Sequence, residues 1–364
     1  MANESSIAAE RAQLLERLFP GGVPRLWCPS LTHYDPNGAI DGARIAAHLR
    51  FLSPHVKGFL IPGSTGDGWE LSEAEVSQLL DIALDQAQKL QFHLLIGILK
   101  ADANAALNLL RDTMERIQAR TKERDAISAL IKARVCGFAV CPPRGKESSQ
   151  AEIGRALSTM LAAGLPMALY QLPQVTQNEI NAELASDLAT QFANFIMLKD
   201  SSGADRVALS GKSLTGVFTV RGAEGDYARW LKTGGGPYDG FLLSTANCFA
   251  RELSQIIIDL EAKRFEAARH MSDRLTAALG EVFGLVESLP DGNAFANANK
   301  AIDHFFAFGA GAAATSPPRL HAGSRLPTEV IRKTGEILSR HRLTPATGYL
   351  GAVTEGTNAE RLKR

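Results

Sequence analysis

Four apolar residues, Phe195-Ile196-Met197-Leu198, run directly into Lys199, and the turn-forming stretch Asp200-Ser201-Ser202-Gly203 follows at once. A short apolar run bounded by Asp, Ser and Gly reads as a strand buried on both faces, with the lysine at its carboxyl end. In α/β folds ligands gather at that edge. An amine held there is partly withdrawn from water, which disfavours the ammonium and brings its pKa down from about 10.4 toward neutrality. A neutral amine can attack a ketone and condense to a Schiff base. The plain alternative is a strand-end lysine whose head reaches solvent along its own apolar stem.

Polar residues that follow the other apolar runs give Lys199 company. Ser64 and Thr65, inside Gly63-Ser64-Thr65-Gly66, follow a second run, and Arg144 follows a fourth. Tyr170 ends a fifth run, Gly222 follows a seventh, and Ser244, Thr245 and Asn247 follow an eighth. An imine with a 2-oxo acid leaves a carboxylate in need of donors. The backbone N–H groups and hydroxyls of a Gly-Ser-Thr-Gly loop suit that need. Carbinolamine formation and dehydration need a group that takes and returns a proton. A tyrosine beside the lysine suits this if the ammonium and a hydroxyl lower its pKa. Each residue also has a bland reading: Tyr170 as a core aromatic, and Gly63 to Gly66 as a turn only.

The elements that must position these residues alternate. Apolar runs at Val23–Pro29, Gly58–Pro62, His93–Leu99, Gly137–Cys141, Pro166–Tyr170, Phe195–Leu198, Val217–Val220 and Gly240–Ser244 read as strands. Helical patterns separate them, several with clear starts, such as Asp41 and the capping box Ser72–Glu75. Eight strands alternating with helices predict an α/β fold, a (β/α)8 TIM barrel with extra C-terminal helices. No GxGxxG turn follows the first strand, which argues against a doubly wound sheet. The expected organisation is an N-terminal helical appendage over residues 1–22 and the barrel with its first C-terminal helices over 23–308. A linker and terminal helix follow over 309–345, then a disordered tail over 346–364.

The 364 residues are 45% hydrophobic, and 39 basic side chains balance 39 acidic ones, so nothing points to nucleic acid or an anionic membrane as partner. The polar start and the lack of an apolar run near 18 residues predict no signal peptide and no membrane span. Cys28, Cys136, Cys141 and Cys248 are scattered, without a CxxC spacing, which fits reduced thiols in a cytoplasmic protein. The eight histidines form no HxxxH or HExxH pattern, so no metal is expected. Gly211-Lys212-Ser213 ends like a P-loop, but residue 206 is arginine where that motif needs glycine.

Four motifs in order resemble the dihydrodipicolinate synthase and N-acetylneuraminate lyase family of pyruvate-dependent class I aldolases. Gly63-Ser64-Thr65-Gly66-Asp67 with Leu71-Ser72-Glu73-Ala74-Glu75 is similar to its G[ST]TGE…LSxEE, with Asp for Glu. Tyr170-Gln171-Leu172-Pro173 is similar to its YNxP, and Leu198-Lys199-Asp200-Ser201-Ser202-Gly203 to its [IL]KD[ST]SG. Gly240-Phe241-Leu242-Leu243-Ser244-Thr245-Ala246-Asn247 is similar to its GxISxxAN. The match runs from about Gly22 to Leu343. It implies that Lys199 is the Schiff-base lysine and Tyr170 the proton-transfer phenol. It also implies that Ser64 and Thr65 hold the pyruvate carboxylate, with Ser64 bonded to Tyr170, and that Leu242 lines the site through its backbone. It implies no cofactor, and a homo-oligomer, dimer or tetramer.

The chain also departs from the family. Where the lysine-biosynthesis synthases carry an arginine for the second substrate's carboxylate, five residues after the tyrosine, this chain has Val175. Where their Pro-Tyr-Tyr follows strand four, Cys141-Pro142-Pro143-Arg144 stands here, with Arg144 in place of a proton-relaying tyrosine. Both changes argue against aspartate semialdehyde and leave an unidentified aldehyde or sugar acid as the second partner. Arg144 is a candidate for binding an anionic acceptor. The segment 116–132 is longer than usual for the family. The leading expectation is thus an aldolase acting on pyruvate or a related 2-oxo acid. Dehydration of a 2-keto-3-deoxy sugar acid by the same imine is the alternative within the class. A non-catalytic keto-acid-binding paralogue is the alternative outside it.

Overall fold

The structure, a computed structural model, describes residues 2–351. Eight parallel strands close into a barrel in chain order: β1 (Leu26–Pro29), β2 (Gly58–Ile61), β3 (His93–Ile98), β4 (Val135–Val140), β5 (Met167–Gln171), β6 (Phe195–Asp200), β7 (Phe218–Arg221) and β8 (Gly240–Leu242). β1 pairs with β8, Trp27 opposite Leu242, which completes the ring. This is the (β/α)8 TIM barrel, with further helices at Phe265–Val286, Ala294–Phe308 and Thr328–Arg340 packed after the last strand.

Alternation along the strands sorts the core into two layers. Leu60, Leu95, Ala168, Tyr170, Val220 and Leu242 belong to the cluster inside the barrel, whereas Phe59, Ile61, Leu94, Ile96, Leu169 and Phe241 pack outward against the helices. Both faces of each strand are therefore apolar, which is why the strands read as unbroken apolar runs.

Local capping starts the helices where their sequences announce it. Asp41 accepts from the Arg44 N–H, and Ser72 with Glu75 forms a complete capping box. The 116–132 segment resolves into the end of one helix, Ala103–Thr121, a left-handed break at Lys122, and a short helix, Ala126–Lys132. Residues 309–326 are more ordered than a linker. They form a tight turn at Gly309–Ala314 and then fold back, with the Leu326 N–H donating to the Pro318 carbonyl. Of the expected tail, 346–351 is placed, with the Tyr349 ring stacked on His48 and Phe51, and residues from 352 on lie outside the described part.

The N-terminal helix, Ala2–Leu18, closes the bottom of the barrel. Leu18 and Phe19 join the interior cluster, with Phe19 packed edge-on to Trp27 and 4.8 Å from the His93 ring at the start of β3. Fully buried Arg11 pins this helix. Its guanidinium donates to the carbonyls of Phe195 (2.8 Å), Ala189 (2.5 Å), Phe192 (2.7 Å) and Thr215. Burial lowers the Arg11 pKa to about 10. Phe195 is the first residue of β6, so the base of the strand that carries Lys199 is tied to this plug. Arg11→Met should strand those carbonyls without donors and destabilise the fold by about 2–4 kcal/mol. The denaturant midpoint of unfolding checks this, and a change near zero would mean that the carbonyls are hydrated instead.

Candidate active site

Tyr170 and Lys199 are register partners on adjacent strands, near the carboxyl ends of β5 and β6. In parallel strands such partners face the same way, here into the barrel. The Lys199 Nζ lies 3.6 Å from the centre of the Tyr170 ring. Lys199 is 3% exposed and Tyr170 is 2% exposed. Burial lowers the Lys199 pKa to about 7, and the nearby Cys141 thiol and Glu224 carboxylate only partly oppose it. A large share of the amine is therefore neutral near pH 7.

Tyr170 differs from expectation. Burial pushes its phenol above the ordinary value. Hydrogen bonding to Ser64 and Ser201 pulls the other way and does not prevail. The sequence reading weighed the ammonium and the hydroxyl but not the closed barrel around the ring. At neutral pH Tyr170 is a phenol, not a phenolate.

Ser64 and Thr65 open a single 3-10 turn, Ser64–Gly66, after β2. As its first residues, they have N–H groups with no acceptor inside the turn. The Ser64 Oγ is 3.3 Å from the Tyr170 hydroxyl, and the Trp69 indole N–H donates to that same Oγ at 2.8 Å. The loop is braced from two sides. Thr32 donates to the Gly66 carbonyl, and Tyr34 to Asp67. From the Ala294–Phe308 helix and its cap, buried Lys300 pairs with Asp67 at 2.7 Å and Asn293 donates to the Ser64 carbonyl at 3.1 Å. Gly66 sits so close to the first loop that a Cβ there would lie 2.3 Å from the Ser30 carbonyl oxygen. Gly63 packs directly on Pro29.

Gly222 forms the other wall. A Cβ there would stand 3.1 Å from the Lys199 Cε and 2.0 Å from the Ser201 Oγ, so the lysine stem needs a glycine beside it. Two residues on, Glu224 collects the polar groups of β8. Ser244 and Thr245 donate their hydroxyls to it at 2.6 Å each, the Thr245 N–H at 3.1 Å and Tyr227 at 3.0 Å. Ser244 and Thr245 therefore hold Glu224. Asn247 is wholly buried and spends its amide on Pro29, Leu31 and Ser244, joining the loops after β1 and β8.

Leu242 lies in the interior cluster with Tyr170. Arg144 is exposed. Its Nε donates to the Val175 carbonyl and its N–H to that of Ala101, so its bonds run to neighbouring loops and not to Lys199, Tyr170 or Ser64. Val175 packs against the interior cluster.

Sequence reasoning passed over Glu224, Trp69 and Lys300. The first two were within reach, since both are polar or aromatic residues just after a strand. Lys300 was not, because nothing local links it to Asp67. The fold also assembles His33, His48 and Asp303, whose ligand-type atoms lie within 4.8 Å of one another, although no sequence spacing relates them. These atoms already have protein partners. His33 and His48 share a hydrogen bond of 3.1 Å, and Asp303 accepts from Arg44 and Tyr349. Among the described residues, no helix is long and apolar enough to cross a membrane.

Comparison with known proteins adds to this geometry. The dihydrodipicolinate synthetase family model matches residues 123–287, the stretch with Tyr170, Lys199 and Leu242. A 4-hydroxy-tetrahydrodipicolinate synthase of Agrobacterium fabrum is 24% identical over 260 residues, 71% of this chain and 81% of that protein. Among solved structures, YagE of E. coli K12, a prophage protein of the dihydrodipicolinic acid synthase family in complex with pyruvate, superposes with a TM-score of 0.68 at 19% identity. It covers 87% of this chain and 98% of its own. A variant of the Sulfolobus solfataricus 2-keto-3-deoxygluconate aldolase gives 0.66 at 16% identity, covering 88% and 96%. At such identities the structures speak for the fold. The family match over residues 123–287 and the four motifs together show a likeness to the dihydrodipicolinate synthetase family.

Proposed function

We propose that the protein is a Schiff-base-forming lyase acting on pyruvate or a related 2-oxo acid, with no metal or organic cofactor. The observation that carries this reading is the buried Lys199 amine, with its pKa near 7, set against Tyr170 and the Ser64 hydroxyl. The neutral Nζ attacks C2 of the oxo acid, and a proton passes from nitrogen to the former carbonyl oxygen to give a carbinolamine. That oxygen takes a second proton and leaves as water, so one ammonium and one ketone become one iminium and one water. Loss of a C3 proton from the iminium forms an enamine, whose C3 adds to an aldehyde carbon while the aldehyde oxygen takes up a proton. Water then releases the amine. Cleavage runs the same steps backward. Tyr170, with its hydroxyl 3.3 Å from Ser64 and its ring under the amine, moves the protons.

In this reading the Ser64 and Thr65 N–H and hydroxyl groups bind the carboxylate, and Gly63, Gly222 and Leu242 shape the pocket. Val175 offers no charge to a second carboxylate, which favours an acceptor other than aspartate semialdehyde. Arg144 stays a candidate for an anionic acceptor at the rim. The similar proteins include a 4-hydroxy-tetrahydrodipicolinate synthase and a 2-keto-3-deoxygluconate aldolase, which supports a lyase of this class without fixing the acceptor. Four buried free thiols suit a reducing cytoplasm. Exposed Leu209, Ile258 and Phe265 are available to contacts in a homodimer or tetramer.

Incubation with pyruvate and sodium borohydride, followed by intact mass and peptide mapping, tests the reading. A reduced pyruvate adduct on Lys199 is the expected result. An adduct on another lysine, or none, would overturn the mechanism and favour a non-catalytic keto-acid binder.

A further inference from the structure

We propose that Trp69 is a positioning residue for proton transfer at Tyr170, acting through the Ser64 hydroxyl. The inference rests on the Schiff-base reading and adds to it a residue that neither the motifs nor the family match single out. Ser64 Oγ stands between the Trp69 Nε1, at 2.8 Å, and the Tyr170 hydroxyl, at 3.3 Å. An indole N–H only donates and a serine oxygen can accept, so the direction of the first bond is settled by chemistry. With that side of Ser64 taken, the hydroxyl's own proton is free to point at the phenol oxygen.

This orientation matters because of where Tyr170 sits. Burial holds the phenol above its ordinary pKa, and a phenolate formed during turnover can only accept hydrogen bonds. Ser64 already oriented as a donor stabilises that phenolate without turning. A donor on Ser64 Oγ also polarises its O–H, which strengthens the bond it gives. The indole does not titrate, so this arrangement is the same in every protonation state of the site. Trp69 cannot pass a proton onward either. On this side the chain of hydroxyls ends at Ser64, which leaves the substrate, Ser201 or water in the site to exchange a proton with Tyr170.

The rest of the loop is built to hold the indole in place. The Gly66 and Gly68 N–H groups both donate to the Gly63 carbonyl, which closes the loop just before Trp69. The Glu70 and Leu71 N–H groups donate to the Asp67 carbonyl just after it. The Trp69 ring packs on the interior cluster, and Asn293 grips the Ser64 carbonyl from the far side. Ser64 is thus held at its carbonyl by one residue and at its hydroxyl by another.

Trp69→Phe keeps the ring and removes the N–H. The test follows the exchange of pyruvate methyl protons for deuterium by NMR, which reports proton transfer on the imine and needs no second substrate. Borohydride trapping of the Lys199 adduct runs alongside. The variant should exchange about tenfold more slowly, the order expected for one lost hydrogen bond, with the half-saturating pyruvate concentration and the extent of adduct little changed. In a Ser64→Ala background, Trp69→Phe should have no further effect, because its contact is gone. Exchange within twofold of the parent, an equal further loss in the Ser64→Ala background, or loss of the adduct itself would each overturn the proposal. If the parent protein shows neither adduct nor exchange, it is the Schiff-base reading that fails.

Discussion

Lys199→Met should abolish adduct formation and any turnover, and at the same time make the protein more stable at neutral pH. The first effect follows from removing the amine proposed to form the imine. The second follows from the pKa. Lys199 falls from an ordinary 10.5 to about 7 when buried. Between those values the unfolded chain carries a proton that the folded one lacks, so stability rises with pH across that window. Below about pH 7 both states are protonated, and the full penalty for burying an ammonium is present. Above 10.5 neither is, and the penalty is gone. Methionine has no such penalty. Its advantage should be largest at pH 6, on the order of 5 kcal/mol, and should fade toward pH 10. Urea unfolding of both proteins at pH 6, 8 and 10 measures it, and a pH-independent difference would show that the amine is hydrated in the folded state. The same pKa predicts that the rate of imine formation by the parent protein climbs through pH 7 and then levels.

Tyr170→Phe should slow proton exchange on pyruvate by about 10²–10⁴-fold, the usual contribution of a positioned acid or base, while the Lys199 adduct still forms given time. The phenylalanine ring preserves the packing beneath the amine, so the loss reports the hydroxyl. Because burial raises the Tyr170 phenol, it works as a proton donor at neutral pH and becomes a phenolate only within the catalytic cycle. The pH profile of the parent protein should therefore show one rising limb near pH 7, from Lys199, and no second inflection from Tyr170 below about pH 10. A second limb at neutral pH that vanishes in Tyr170→Phe would mean that the phenol ionises readily, and that water or a charge offsets the burial seen here.

The run Phe195–Leu198 ending in Lys199 announced both a buried strand and a candidate nucleophile, and the structure places that lysine within β6. Asp41 and the Ser72–Glu75 box announced helix starts that form as read. Such signals are legible because they are local: a cap bonds a backbone N–H three residues away, and a strand buried on both faces must be apolar throughout. The order of the four motifs was legible for a different reason, since it matches the order in a known family.

Other features had no local signature. The N-terminal helix reads as an appendage, yet Arg11 carries it under the barrel to residues 178 to 204 positions away. Lys300 meets Asp67 across 233 residues, and His33 and His48 meet Asp303 only through the fold. Trp69 was visible as a residue but not as the donor to Ser64, because its aim depends on how the loop closes. The Tyr170 pKa could not be read at all from the neighbouring charges, since its sign is set by how completely the barrel excludes water. The sequence by itself determined the kinds and order of the elements and the choice of candidate groups, through short-range hydrogen bonds and apolar patterning. Only the tertiary structure decided their distances, their solvent exposure and hence their protonation, because these depend on which distant segments close over the site.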